Sequence, residues 1–525
     1  MQSTPRRRIG APVYLSVFLS FAALLLLDHS IYLGLPYFWD ELGQFVPAAL
    51  DILHDGALVP HSAVPNVHPP GVMLFLALVW KTVGYSVPAT RVAMLTFAAA
   101  GAVFCFLLAI QLGRGLGGVP AFVAILLLFV DPLFFSQSMM AQLDMPAMVL
   151  TLAGLLLFLQ DRHLAAGLAS TALVLCKETG IVLPFVLGLA LLLDRKRDKQ
   201  AAFYVAPFIV LAAWLALLWH STGHIFGDPG FAHYNIGYAL HPVRVVVSFA
   251  RRLYYLFVAD FRWIGTITIL YGLKRSVFSR PGWRITTIFA AAHVLLVSLF
   301  GGAELERYLL PVLPLFYIAA AAAWTVLPLI WRNVSLVVLT LGLLAGMFVN
   351  PPYPFPFENN LAMSDFVLLH QSAARFLERS YANREIYTAW PLTAALRKPE
   401  YGYVTRGLTT VETSDLHVST LKQLDPKRVK VLVLYSRTWE PGWSVLRSAA
   451  VRNFLAQFYE YEPQMSAVQC FEQFGLRPVG RWTRRGQWIE VYATEQPLSS
   501  PSGEIASPAT PCVRLQLLTL DTSGT

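Results

Sequence analysis

The chain alternates between long apolar stretches and short polar connections from about residue 12 to about residue 349. Most of the stretches approach the roughly 20 residues that an α-helix needs to cross a hydrocarbon core of about 30 Å. In the shorter stretches, residues of the adjoining loops are needed to reach the full length of a span. The pattern predicts eleven spans, at 12–34, 91–112, 118–135, 142–160, 163–177, 180–194, 201–220, 252–272, 284–301, 308–329 and 334–349.

One apolar stretch, Gly71–Gly84, does not fit this series. Its 14 residues are too few to cross comfortably, and two prolines precede it. We therefore predict a juxtamembrane helix within an outer loop of residues 35–90. With this helix on the surface, the loops on the N-terminal side contain fourteen Lys and Arg residues and the opposite side seven. Because basic loops stay in the cytoplasm, we expect a cytoplasmic N-terminus and a periplasmic outer face in a bacterial inner (plasma) membrane.

After residue 350 the pattern changes to that of a soluble domain. Residues 351–360 are proline-rich and predict a stiff linker. Helical periodicity covers 361–379, strands are predicted at Val429–Tyr435 and Gln487–Tyr492, and a helix at Ser444–Phe458. We expect an α/β domain over 361–495, outside the membrane, followed by a disordered tail at 496–525 that is rich in Ser, Pro and Thr. The predicted fold class is a polytopic α-helical membrane protein with a C-terminal soluble α/β domain.

Composition supports the membrane assignment and narrows the partners. Of the 525 residues, 56% are hydrophobic and 14% are charged, with a mean hydropathy of +0.54, which excludes an ordinary soluble protein. The net charge of +9 arises from short basic loops, so it does not indicate a nucleic-acid partner. An Asp-x-Asp motif, typical of enzymes that use nucleotide sugars, is absent from the sequence.

Two adjacent carboxylates, Asp40 and Glu41, directly follow the first span. Charged groups next to the lipid are costly and therefore indicate a function. Asp40 could act as a general base toward an acceptor hydroxyl or amine. Alternatively, the pair could cap a helix that begins near Leu42. The residues alone do not decide between these interpretations.

Further polar residues fall on the same outer face. His68 could orient a phosphate or ligate a metal, but a loop histidine before a proline-started helix is the simpler interpretation. Asp144 could contact substrate or cap a helix, and we expect a charge partner across the bundle. Lys177 could contact a lipid phosphate or pair with the neighbouring Glu178.

Arg307 and Tyr308 open a span at this face. A guanidinium and a phenol suit a phosphate leaving group, whose developing charge needs donors. The alternative is an interfacial tyrosine beside a snorkelling arginine. Carboxylates together with cations are what sugar transfer from a lipid phosphate requires: one group takes a proton from the acceptor, and the others stabilise the departing phosphate.

Five short motifs carry a resemblance to a known family. In order and spacing over about residues 10–350, the chain resembles the GT-C glycosyltransferases of the protein O-mannosyltransferase and aminoarabinose-transferase type. The motifs are Tyr37–Glu41, His68–Gly71, Gln137–Pro146 with its Leu143–Pro146, Lys177–Gly180 and Glu306–Pro311.

The resemblance implies a specific reaction and site. The donor would be a sugar on a polyprenyl phosphate, transferred with inversion to a protein, lipid or glycan acceptor. The catalytic set would comprise Asp40 as the base, Glu41 in support and Asp144 as a second acid. No metal ligand is assigned, although the resemblance leaves a divalent metal open. The implied phosphate-binding residues are Arg307, Tyr308, Lys177 and His68.

Two other functions compete with this one. A transporter or flippase of a lipid-linked sugar could use the acids as a proton relay, but then we expect acids near mid-span and paired repeats. A glycan ligase with a lipid-diphosphate donor would also need arginines in the outer loops. The Asp40–Glu41 pair after the first span favours the polyprenyl-phosphate-dependent transferase.

Overall fold

The protein was analysed as a computed structural model that describes residues 11–116, 118–194, 197–351, 353–439 and 448–494. A helical region runs to Gly346, and a smaller region that contains a β-sheet follows it. The helices of the first region are α1 Ala11–Asp28, α2 Val46–Asp55, α3 Gly71–Val83, α4 Val87–Leu112, α5 Val119–Phe129, α6 Pro132–Gln137, α7 Asp144–Leu159, α8 His163–Cys176, α9 Val182–Leu193, α10 Ala206–Thr222, α11 Pro229–Ala232, α12 Pro242–Phe257, α13 Arg262–Lys274, α14 Pro281–Leu299, α15 Leu313–Trp324 and α16 Leu329–Gly346.

Several of these helices have the length and composition of membrane spans. Within the described residues, four helices meet both criteria, or five if the bent pair α12–α13 forms one span. Seven further apolar helices contain 10–17 residues. The predicted membrane-embedded helical architecture is therefore confirmed, whereas the number of eleven spans stays a prediction.

Two predicted spans are interrupted in the structure. The predicted span 118–135 consists of α5 and α6, which are separated at Asp131; the Asp131 side chain caps α6 by accepting from the backbone N–H of Phe134 at 2.9 Å. The predicted span 252–272 contains the junction of α12 and α13, which are bent by 82°. Residues 260 and 261 adopt left-handed backbone conformations there, with φ of 49° and 63°. Regular helix cannot continue through such residues.

A buried ion pair holds these two breaks together. The Arg262 guanidinium, at the start of α13, bonds the Asp131 carboxylate, and both side chains are fully buried. The same guanidinium donates to the Tyr317 hydroxyl at 3.0 Å. Because an unpaired charge would be costly in this position, the pair holds the start of α13 next to the start of α6.

The stretch Gly71–Gly84 forms helix α3, as predicted, and its position at the membrane surface stays a prediction. It starts after the proline pair, with Pro70 as its N-cap residue, and ends at Gly84, whose φ is 86°. Its buried side includes Val72, Leu76 and Trp80. The apolar stretch and the prolines before it therefore identified the helix to within one residue.

The C-terminal region has a five-stranded mixed sheet in the order β2-β1-β3-β5-β4. Its strands β1 and β2, and β1 and β3, are parallel, and the remaining pairs are antiparallel. The strands are β1 Ile386–Ala389, β2 Thr410–Thr413, β3 Val431–Tyr435, β4 Arg477–Arg484 and β5 Gln487–Ala493. The helices are α17 Ala362–Ser380, α18 Leu392–Arg397, α19 Val418–Leu421, α20 Ala449–Tyr459 and α21 Ala467–Phe474.

The strongest C-terminal predictions are confirmed. Helix α17 covers the predicted 361–379, and strands β3 and β5 match the predicted strands to within two residues. The predicted helix at Ser444–Phe458 corresponds to α20, which begins five residues later; residues 444–447 are not among the described ones. The predicted disordered tail also lies outside the described residues.

The C-terminal region packs directly on the loop that follows α1. The Tyr403 hydroxyl donates to the carbonyl of Tyr37 at 2.7 Å. Trp390 lies so close to Gly43 that a Cβ atom at that glycine would meet the indole nitrogen at 2.1 Å. These two contacts hold the C-terminal region against the loop that contains Asp40 and Glu41.

Candidate functional site

Arg307 is the centre of the site. It lies in the short 3-10 turn Glu306–Leu309 before α15, and its guanidinium contacts carboxylates from three separate segments. It bonds Asp40, approaches Asp144 with Nε at 3.1 Å from Oδ2, and donates from Nη1 to Glu358 Oε2 at 2.8 Å. A planar fork with several donors suits such multiple contacts.

Lys177 joins this arrangement through Asp144. Its ammonium group bonds Asp144 Oδ1, so Asp144 bridges the two cations. Lys177 Nζ also lies 4.2 Å from the centre of the Tyr308 ring, and the Arg307 guanidinium carbon lies 5.7 Å from it. The predicted charge partner for Asp144 across the bundle is thus present. Asp40, Asp144, Lys177, Arg307 and Glu358 are called the Arg307 cluster below.

The charges of the Arg307 cluster do not balance. With every group ionised, its members carry three negative and two positive charges, and each of the five side chains is at most 12% exposed. A buried excess of negative charge is unfavourable unless one carboxyl takes a proton or a further cation arrives.

Among the carboxyl groups of the Arg307 cluster, Glu358 is the one whose raised pKa reflects burial together with this excess of negative charge. Burial raises the pKa of its carboxyl to about 7; Arg307 opposes the shift, and the negative charges of Asp40 and Asp144 add to it. Sequence reasoning missed this residue, because it lies in the proline-rich segment 351–360 that we interpreted as a linker. The one signal in the sequence is that Glu358 is an acidic residue between the last proline of the segment, Pro356, and the apolar face of α17.

The segment around Glu358 is tied to the helical region by hydrogen bonds. The carbonyl of Glu358 accepts from Ser136 Oγ at 2.7 Å and from Gln137 Nε2 at 3.2 Å. Next to it, Asn359 Nδ2 donates to Glu306 Oε2 at 2.9 Å. The residues between α16 and α17 thus contribute to the site as well as connecting the two regions.

Glu41 lies outside the Arg307 cluster. Its Oε1 accepts from Arg91 Nη1 at 2.5 Å and from the backbone N–H of Ala141 at 2.6 Å; its Oε2 accepts from the N–H of Phe38 at 2.7 Å and from Arg91 Nη2 at 3.1 Å. Arg91 in turn donates to the carbonyl of Met139 at 3.0 Å. The pair connects the loop of Asp40 to the loop before α7, and both glutamate oxygens are already in use.

His68 forms a separate pair. Its Nδ1 lies 2.9 Å from Glu178 Oε2, and both side chains are less than one-fifth exposed. The partner of His68 is therefore Glu178, the residue that follows Lys177 in the sequence. His68 does not contact Arg307. The local pair between Lys177 and Glu178 is one of two alternatives from the sequence, and the structure instead pairs Glu178 with His68 and Lys177 with Asp144.

Trp39 directs the neighbouring Asp40 into the cluster. Its φ of 43° is unusual for a residue with a side chain, and such strain persists only where packing holds it. The indole ring packs against Phe366 and Trp390, at centroid distances of 5.5 Å each, and lies 5.6 Å from the Arg437 guanidinium carbon. The C-terminal region thus supplies the surroundings that orient the Asp40 loop.

One group of side chains in the described part of the chain could hold a metal ion. The ligand atoms of Asp51, Asp55 and His61 lie within 4.8 Å of one another. The Asp51 carboxylate, however, already accepts bonds from the N–H groups of His61 and Ser62 at 2.8 Å each and from Ser62 Oγ at 2.5 Å. These bonds account for Asp51 as a loop-forming residue, so the group does not require an ion.

Comparisons with known proteins concern the fold. The chain matches no protein-family model and no curated protein sequence. It is similar to the structure of ArnT from Cupriavidus metallidurans bound to undecaprenyl phosphate, with 14% identity, a TM-score of 0.51, and coverage of 92% of this chain and 98% of that one. For ArnT in the apo state, the identity is 15%, the TM-score 0.52 and the coverage the same.

A third similar structure is the oligosaccharyltransferase AglB from Archaeoglobus fulgidus in complex with an inhibitory peptide and a dolichol-phosphate. The identity is 11% and the TM-score 0.50, with coverage of 92% of this chain and 74% of that one. Identities this low establish the fold alone. The chain therefore has the fold of the GT-C glycosyltransferases that its sequence resembles.

Proposed function

We propose that the protein is a membrane glycosyltransferase that moves a sugar from a polyprenyl-phosphate donor to a protein, lipid or glycan acceptor, with inversion at the anomeric carbon. The observation that carries the proposal is the convergence of Asp40, Asp144, Lys177 and Arg307 in one buried cluster. Carboxylates and cations in direct contact supply the two kinds of group that this transfer needs.

In the proposed reaction, Asp40 takes a proton from the acceptor hydroxyl or amine. The acceptor atom forms a bond to the anomeric carbon while the bond from that carbon to the phosphate oxygen breaks, and polyprenyl phosphate leaves with the electron pair. Arg307 and Lys177 stabilise the negative charge that develops on the phosphate, and Tyr308 provides a further contact.

The bond between Arg307 and Asp40 makes these two roles dependent on each other. A donor phosphate that binds Arg307 would compete with Asp40 for the guanidinium. Donor binding would therefore release the Asp40 carboxylate, which could then accept a hydrogen bond from the acceptor hydroxyl or amine.

The remaining predicted residues receive supporting roles in this proposal. Glu41 holds the Asp40 loop in place through Arg91 and leaves the proton transfer to Asp40. Asp144 keeps Lys177 and Arg307 at a fixed separation. His68 positions Glu178, and through the chain Lys177, rather than a metal ion.

The solved structures with this fold support the donor class. ArnT has been solved with undecaprenyl phosphate and AglB with a dolichol-phosphate, both of which are polyprenyl phosphates. By the same proposal, the protein lies in the inner (plasma) membrane, with its N-terminus in the cytoplasm and with the Arg307 cluster and the C-terminal region on the periplasmic side.

The test is transfer by purified protein from labelled polyprenyl-phosphate sugars to a panel of protein, lipid and glycan acceptors. We expect turnover by the wild type and a decrease of about 100-fold or more for Asp40→Asn, because the base is lost. The matched control is Asp55→Asn, which changes an exposed carboxylate of the same outer loop and should retain activity.

Each part of the proposal has its own contrary result. Wild-type turnover by Asp40→Asn would end the assignment of the base. If no polyprenyl phosphate binds the wild type, the donor class is wrong. Movement of the intact donor across a vesicle membrane, without sugar transfer, would support a flippase instead. Sugar transfer only from a lipid-diphosphate donor would support a ligase.

A further inference from the structure

Polar atoms without hydrogen-bond partners collect beside Glu358. They are the two amide atoms of Gln142, Glu358 Oε1, Gln137 Oε1 and Asn359 Oδ1. All four side chains are at least nine-tenths buried. A buried polar atom that nothing bonds destabilises the fold, so several together indicate a place for a polar ligand.

These residues come from only two segments that meet beside the Arg307 cluster. Gln137 and Gln142 lie between α6 and α7, whereas Glu358 and Asn359 lie in the 3-10 turn Phe357–Asn359. Gln137 Nε2 donates to the Glu358 carbonyl, which joins the segments. The Gln142 amide approaches the Glu358 carboxylate as a weak donor that favours its charged form, in a geometry that falls short of a full hydrogen bond.

The chemistry of the unused atoms defines the ligand. They comprise one amide donor and four oxygen acceptors, which together suit hydroxyl groups that both donate and accept. Glu358 Oε2 meanwhile binds Arg307 at 2.8 Å, and Arg307 also binds Asp40. A ligand at these atoms would therefore lie next to Arg307, the proposed phosphate contact, which itself bonds the proposed base.

We infer that Gln142 and Glu358, with Gln137 and Asn359, form the subsite that binds the hydroxyl groups of the donor sugar. The inference rests on the proposed function, because only a phosphate on Arg307 and a base at Asp40 place a sugar ring there. It assigns the recognition of the sugar to the segment before α7 and to the Phe357–Asn359 turn, and the recognition of the lipid phosphate to Arg307 and Lys177.

The test compares binding of undecaprenyl phosphate with binding of the same lipid phosphate carrying mannose, glucose or aminoarabinose, by the purified protein in detergent. We expect the wild type to bind at least one glycosylated lipid more tightly than undecaprenyl phosphate. Gln142→Met keeps the length of the side chain and removes both hydrogen-bonding atoms. This variant should bind the glycosylated lipid about 10-fold more weakly than the wild type does, and its affinity for undecaprenyl phosphate should be unchanged.

The matched control is Gln111→Met, near the opposite end of α4 from Arg91 and therefore about 30 Å away along the helix. It should bind both lipids as the wild type does. Gln142→Leu is a second variant in case Gln142→Met does not fold.

The following outcomes show whether the subsite or the proposed function itself is wrong. If the Gln142 variants keep the preference for the glycosylated lipid, or if they weaken both lipids equally, the subsite is wrong and the donor class stands. Equal affinity of the wild type for undecaprenyl phosphate and every glycosylated form also overturns the subsite. Failure of the wild type to bind any of the lipids overturns the proposed function itself.

Discussion

The guanidinium of Arg307 bonds the carboxylate of Asp40, although 267 residues separate them in the chain. Arg307 follows α14, and Asp40 follows α1. The contact connects the segment after α1 with the segment after α14. It also joins Asp40, the proposed base, to Arg307, the proposed phosphate-binding residue.

Removal of Arg307 should destabilise the protein strongly. Arg307→Ala leaves Asp40, Asp144 and Glu358 buried without their common cation, and breaking buried ion pairs of this kind costs about 3–5 kcal/mol. Thermal unfolding in detergent measures the loss. Arg275→Ala, which removes an exposed arginine that bonds Tyr271, should leave the melting temperature nearly unchanged. Equal melting temperatures for the two variants would contradict the central role of Arg307.

The two adjacent carboxylates should respond differently to the same change. Glu41→Gln removes the charge that pairs with buried Arg91 and should lower the melting temperature, whereas Asp40→Asn should mainly reduce transfer. Arg91→Met together with Glu41→Met should recover much of the lost stability, because no charge is then left unpaired. If Glu41→Gln abolishes transfer in a fully stable protein, Glu41 acts in the chemistry instead.

Stability should depend on pH through Glu358. Its pKa is raised from an ordinary 4.5 to about 7, so the folded protein holds a proton there that the unfolded chain releases. The resulting stabilisation is complete below pH 4.5 and is lost as the pH rises toward and through 7. Relative to Glu358→Gln, the wild-type melting temperature should therefore fall over this interval. Glu400→Gln, at an exposed position, should follow the wild type, and a constant difference between wild type and Glu358→Gln would exclude the shift.

Gly43 should be intolerant of a side chain because of Trp390. An added Cβ would lie 2.1 Å from the indole nitrogen, so Gly43→Ala must displace either the Asp40 loop or the C-terminal region. We expect it to reduce transfer, and Trp390→Ala in the same chain to restore part of it. Gly34→Ala is the control, because nothing lies within 4 Å of its added Cβ. Additive losses in the double variant would show that the two regions do not act together.

The orientation in the membrane is testable by cysteine labelling. Cysteine at position 60 should react with an impermeant reagent added to intact cells, whereas cysteine at position 198 should react only after permeabilisation. Cys512, which lies outside the described residues, is first replaced by Ser in all variants, and this protein without the added cysteine gives the background, since Cys105, Cys176 and Cys470 are buried. The reverse pattern would place the Arg307 cluster on the cytoplasmic side.

The sequence alone determined the helical membrane architecture, the helix Gly71–Val83, helix α17 and two of the five strands. These elements follow from local periodicity and from the length of apolar stretches, which adjacent residues define. It also identified Asp40, Asp144, Lys177 and Arg307 as candidates, since charged residues at the ends of apolar stretches are conspicuous. The resemblance to a family supplied the roles that composition left open.

Only the tertiary structure decided which of these residues meet. It paired Asp40 with Arg307 and Glu41 with Arg91, a choice between neighbouring carboxylates that no periodicity encodes. It brought together the breaks in two predicted spans, where Asp131 and Arg262 pair although 131 positions separate them, because a buried charge is stable only with a partner that the local sequence does not supply. It also brought Glu358 and Gln142 beside Arg307, where the surrounding chain, rather than the local sequence, sets the cost of an unpaired polar atom.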